Sequence, residues 1–235
     1  MKKLIAGILF LTSFAAFAQS ETLVPSHGKD TLAFVPKGWK IIARATGDLN
    51  KDGVDDAVLV IEDTKKENFI ENESLGERVL NTNPRYLLIL FKDSKGYSLA
   101  TINKNFIPPA NDEDSSCLAD PLLQDGGISI KKGVLLIDFH YWLSCGSYGV
   151  SHDCFKLRWQ DGRFVLIGYD GSEYSRSLGD ESSVSINFVT KKKEVITGGN
   201  LFNEDQNKPK RVWKTIKIDK FITLQDLNRS TVIDF

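Results

Sequence analysis

The 235-residue chain carries 30 Lys and Arg against 31 Asp and Glu, for a formal charge of −1. That near balance supplies no electrostatic drive toward nucleic acid or anionic lipid, so neither is an expected partner. The length suffices for one large domain or two small ones. No stretch after residue 18 approaches the roughly 18 consecutive apolar residues of a membrane-spanning helix.

Lys2 and Lys3 precede an apolar run from Leu4 to Phe17, and Ala16-Phe17-Ala18 forms a small-x-small cleavage site. This is the pattern of a signal peptide. It predicts a periplasmic or secreted protein with a mature start at Gln19, and the absence of Cys at that point argues against a lipoprotein. The lead-in to Asp30 is polar, Leu32 to Val35 is expected as a short strand, and Trp39 to Ala43 leads into the most distinctive stretch of the chain.

That stretch is Asp48-Leu49-Asn50-Lys51-Asp52-Gly53-Val54-Asp55-Asp56. Counted from Asp48, side-chain oxygens fall at positions one, three, five and nine, with Gly53 at six and the Val54 carbonyl at seven. A tight loop turns such alternating oxygens toward one point, which is what a hard cation needs. The oxygen-only set suits calcium, with magnesium second, and not zinc, whose sites favour nitrogen and sulfur. An EF-hand requires Glu at position twelve, and Leu59 stands there. The apolar run Ala57 to Ile61 that follows reads as a strand. The competing reading is a solvated turn in which Asn, Asp and Gly only provide the bend.

These nine residues resemble the integrin-type calcium loops of FG-GAP repeats and related bacterial VCBS repeats, written Asp-apolar-Asp/Asn-x-Asp-Gly-apolar-x-Asp. The resemblance implies ligand roles for Asp48, Asn50, Asp52, Asp56 and the carbonyl of Val54, calcium as the bound ion, and a strand of a propeller-like blade after the loop. It covers Gly47 to about Glu62, and the hairpin from Tyr86 to Asn103 extends it. The chain holds one copy of the loop and no Phe-Gly or Gly-Ala-Pro signature.

Glu62 to Asn83 is charged and polar, and reads as a surface excursion with a short helix around Leu75 to Leu80. From Arg85 onward, β-branched and aromatic runs alternate with Asp, Lys and Gly turns at 93–96, 131–133, 160–162 and 191–193. This spacing predicts antiparallel hairpins. The predicted class is therefore all-β, with blade-like or sandwich-like sheets and at most short helices. Residues 19–106 form an N-terminal β region with the loop, and residues 127–235 a hairpin region packed with it as one unit. The segment 107–126, with Pro108, Pro109 and Pro121, reads as the linker between them. The run Val212 to Leu224 is expected to close the sheet with one or two strands.

Cys117, Cys145 and Cys154 imply one disulfide and one odd thiol in an oxidising compartment. Pairing Cys145 with Cys154 would staple a hairpin loop; pairing Cys117 with Cys145 would pin the proline-rich segment to a sheet. Either Cys145 or Cys154 with His140 or His152 also contains the elements of a Cys/His nucleophile pair. Tyr141, Trp142, Tyr148, Tyr169, Glu173, Tyr174 and Arg176 are candidate interface anchors or sheet core. The basic run Lys208 to Lys214 reads as a solvated strand. The expected function is thus an exported calcium-binding module that binds a protein or cell-envelope component, or supports structure. The alternative is an envelope hydrolase assembled from loops around 140–154.

Overall fold

The computed structural model describes residues 24–203, 208–231 and 233. The leader expected at 1–18 lies outside the described residues. Strands β1 (His27–Gly28), β2 (Trp39–Gly47) and β3 (Asp56–Asp63) come first, then a small pair, β4 (Phe69–Glu71) and β5 (Val79–Asn81), then β6 (Arg85–Asp93) and β7 (Gly96–Asn103). All but β4 and β5 form a five-stranded sheet in the order β1-β7-β6-β3-β2. The remaining strands are β8 (Gly127–Lys131), β9 (Val134–Trp142), β10 (Gly149–Gln160), β11 (Arg163–Ser175), β12 (Asp180–Asn187), β13 (Lys192–Asn200) and β14 (Lys210–Thr215). They make a seven-stranded meander in strict chain order.

The described pairings are antiparallel throughout, as predicted for an all-β chain. Two of the expected turns show why. Lys132 and Gly133, and again Asp161 and Gly162, have positive φ at both central positions, the signature of two-residue turns whose twist matches their strands.

The sheets share one core. Val58 and Val60 on β3 and Leu87 and Ile89 on β6 meet Leu135, Ile137, Phe155 and Leu157 of the second sheet. The alternate residues Ala57, Leu59 and Ile61 turn to the other face, where Phe34 and the N-terminal segment cover them. Every residue of β3 is therefore buried. Asn103 ties the C-terminal segment into the shared core by donating to the carbonyls of Leu224 (2.5 Å) and Leu227 (2.9 Å).

The segment 107–126 is built into this core, with Ile107 and Leu122 buried. Its main anchor is Arg85, 2% exposed. Arg85 donates to Glu62 at 2.8 Å, to Asp120 through two nitrogens at 2.8 and 2.6 Å, and to the Pro108 carbonyl at 3.3 Å. A fork of planar donors facing carboxylates on two sides is the geometry for which Arg is suited.

Two local expectations are corrected, and one of the two open disulfide pairings is selected. Thr31–Phe34 is a 3-10 helix in place of a strand, because the Asp30 carboxylate accepts from Leu32 N and Ala33 N and starts a helical turn. No helix forms at 75–80. Gly76 has φ 99°, a Cβ there would stand 2.2 Å from the Ser116 carbonyl oxygen, and Val79–Asn81 is strand β5. The bend belongs to a contact with a segment forty residues away in sequence. Cys154 is no disulfide partner: it lies mid-strand on β10 opposite Asp138, while Cys145 sits beyond the end of β9 and bonds Cys117.

Candidate calcium loop and the histidine–cysteine face

The loop 48–55 joins β2 to β3, with Gly47 and Asp56 paired across its base. Its side-chain oxygens fold back on its own main chain. Asp48 accepts from Lys51 N (2.6 Å) and Gly53 N (3.0 Å), Asn50 from Asp52 N (3.0 Å), and Asp52 from Val54 N (2.8 Å). Lys51 and Gly53 both have positive φ, 67° and 86°; such a tight reversal favours Gly, and is tolerated at few other residues. Leu49, 1% exposed, plugs the shared core, whereas Val54 is 40% exposed. From the second sheet, the β8–β9 turn backs the loop, since a Cβ on Gly133 would stand 3.4 Å from the Asp48 carbonyl oxygen.

Asp56 differs from its neighbours. It is 0% exposed and accepts from Leu49 N (2.9 Å), Asn50 N (3.4 Å) and, across the sheet, Lys92 N (3.0 Å). Burial raises its pKa, the three N–H groups counter this in part, and the Asp52 charge adds to the rise. The donor chemistry fits a hard cation: all oxygens, with lone pairs left on Asp48, Asn50 and Asp52 after their N–H bonds are counted. Among the described residues, no three His, Cys, Asp or Glu side chains stand together as a preformed shell. The loop's candidate set is mixed: exposed carboxylates, an amide and a main-chain carbonyl beside the buried Asp56. Trp39 is at the other end of β2, opposite Asp63, with its ring 4.5 Å from that of Tyr86, so it takes no part in the loop.

The pleat gathers His140, His152 and Cys154 on one face and sends Asp153 to the other. Successive residues of a strand face opposite sides, so His152 and Cys154 lie on the outer face of the second sheet while Asp153 faces inward, accepting from the Tyr169 hydroxyl at 2.5 Å. On the outer face His152 stands directly across from His140, and Cys154 across from Asp138 and Asp170. His152 Nε2 is 3.4 Å from Asp138, and Lys156 pairs with Asp170. Burial, a hydrogen bond to Asp138 and that carboxylate's charge push the Cys154 thiol up to about 12. It is a neutral thiol at any physiological pH, and Cys145 is committed to its disulfide. Neither offers the thiolate a nucleophile requires.

Arg176 was legible as a residue of interest but not in its role. Its guanidinium lies 4.8 Å from the Trp142 ring centre and 5.9 Å from that of Tyr148, and donates to the carbonyls of Leu143 and Ser147. It clamps the β9–β10 connection to the end of β11. Asp153 shares its parity with the core residue Phe155, which is the sequence signal that it belongs to the inner face and not with its neighbours His152 and Cys154. No protein-family model matches the chain, and no curated protein and no solved structure matches it either.

Proposed function

We propose that the chain is an exported, periplasmic or secreted, calcium-binding β protein of the FG-GAP or VCBS type, acting as a binding or structural module. The observation that carries this reading is the folding-back of Asp48, Asn50 and Asp52 onto N–H groups inside their own loop, which keeps their oxygens within the bend. Asp48, Asn50, Asp52, Asp56 and the Val54 carbonyl would hold the ion, and calcium would supply positive charge at a loop with four carboxylates and one lysine. Four neighbouring strands of the five-stranded sheet, β2, β3, β6 and β7, run antiparallel as the strands of a propeller blade do, which supports the family reading. The disulfide supports export, since such bonds persist in oxidising compartments.

Loops of this kind outside the cell bind calcium at roughly 10⁻⁴ to 10⁻³ M. Calorimetric titration of the chelator-treated protein should therefore show one site in that range, lost in the Asp48→Asn/Asp52→Asn double variant. Equal binding by that variant, or no saturable binding by the parent protein, refutes the assignment.

A further inference from the structure

A cavity of about 230 Å³ lies between the inner face of the second sheet and the proline-rich segment. It is separate from the calcium loop. Phe139 and Tyr141 of β9 and Asp153 and Phe155 of β10 line one side, and Phe106 and Leu118 the other. The phenyl rings interlock edge to face: Phe106 is 5.4 Å from Phe139 and 4.9 Å from Phe155. An aromatic wall of this kind turns toward the cavity with one carboxylate set in it.

That carboxylate is held in place. Asp153 Oδ1 accepts from Tyr169, and Tyr169 can reach it because position 171 is glycine; a Cβ there would stand 2.6 Å from the Tyr169 hydroxyl oxygen. Beyond that bond, neither the Asp153 carboxylate nor the Tyr141 hydroxyl makes a hydrogen bond to another described residue. Burial, and after it the Asp153 carboxylate, pushes the Tyr141 hydroxyl up to about 12 and Tyr169 above its usual value, so both stay protonated donors. Around the lining the charged residues are Asp112, Asp153 and Arg229, and Arg229 is exposed at the rim. A small cavity that joins apolar rings to convergent, under-used polar groups is the usual form of a ligand site.

We propose that this cavity binds a small organic ammonium compound with an apolar body. The ammonium group would sit on the free oxygen of Asp153 and against the Tyr141 ring, where an aromatic face attracts a cation. The body would lie among Phe106, Phe139 and Phe155. A volume below the roughly 300 to 1,000 Å³ of drug-sized pockets restricts the ligand to a small amine.

The test compares phenethylamine with its neutral counterpart 2-phenylethanol by ligand-observed NMR titration, on the parent protein and on Asp153→Asn. The amine should bind saturably, at least tenfold more tightly than the alcohol. Asp153→Asn should weaken the amine at least tenfold and leave the alcohol unchanged. Leu118→Phe, which fills the cavity from the opposite side and leaves Asp153 untouched, should abolish both, and it keeps the test sound should Asp153→Asn fail to fold. Equal binding of amine and alcohol, an amine affinity unaffected by both substitutions, or no saturable amine binding up to 20 mM each overturns the proposal.

Discussion

In the first sheet β3 is buried along its whole length, Val58 and Val60 facing the shared core and Leu59 and Ile61 the N-terminal segment. In the second sheet β10 alternates, with Phe155 and Leu157 turned inward and Cys154 and Lys156 outward among Asp138, His152 and Asp170. The contrast follows from the two sequence patterns: a continuous apolar run has no face to give to water, and an alternating run has one. It also places the candidate loop at the start of β3, the strand buried along its whole length. The second sheet, with one face against solvent, tolerates ionisable side chains there.

If this contrast is right, the costliest substitutions fall where the first sheet meets the segment above it. Arg85→Ala leaves Asp120 without its cation and Glu62 with only the half-exposed Lys40, and should cost about 3 to 5 kcal/mol in denaturant unfolding. Replacing Arg85, Glu62 and Asp120 together by apolar residues of similar volume should recover much of that loss; failure to recover any would show that Arg85 acts by something other than charge pairing.

The Cys117–Cys145 bond closes a separation of 28 residues, and removing it as Cys117→Ser/Cys145→Ser should cost about 3 to 4 kcal/mol on loop entropy. Cys154→Ser should leave the disulfide intact, as thiol counting before and after unfolding would show.

Acid sharpens the comparison next. Burial alone would raise the Glu62 pKa, but hydrogen bonds from Lys40 and Arg85 and the Arg85 charge outweigh it and hold the group below its ordinary 4.5. A carboxyl lowered on folding contributes its stability above the unfolded value, and loses it as pH falls through the folded one. Melts should therefore show this contribution intact above pH 4.5 and lost below it, with a shallower acid fall in Glu62→Gln. On the open face of the second sheet the effects shrink: Lys156→Ala breaks the half-exposed pair with Asp170 and should cost less than about 1 kcal/mol.

The hairpins were legible because their turns carry their own chemistry: Lys132-Gly133 and Asp161-Gly162 allow positive φ where two-residue turns demand it. The loop's donor spacing was legible for the same local reason. What escaped is non-local. Gly76 bends against Ser116, and Arg85 finds Asp120 thirty-five residues on; no pattern within either stretch announces its partner. The disulfide stayed ambiguous until strand register put Cys154 opposite Asp138. The 3-10 turn at Thr31–Phe34 was different, since its Asp30 cap is local and was outweighed by the β-like run Leu32 to Val35.

The central claim is that an ion completes the loop at the end of β2 and β3. Thermal unfolding of the protein in 10 mM calcium against excess chelator tests it directly. With a dissociation constant near 10⁻⁴ M, mass action adds about 2.7 kcal/mol, which for a chain of this size raises Tm by about 5 to 10 °C. The same rise should be absent in Asp48→Asn/Asp52→Asn. A midpoint that does not move with calcium in the parent protein would contradict the account and leave the loop as a self-satisfied turn.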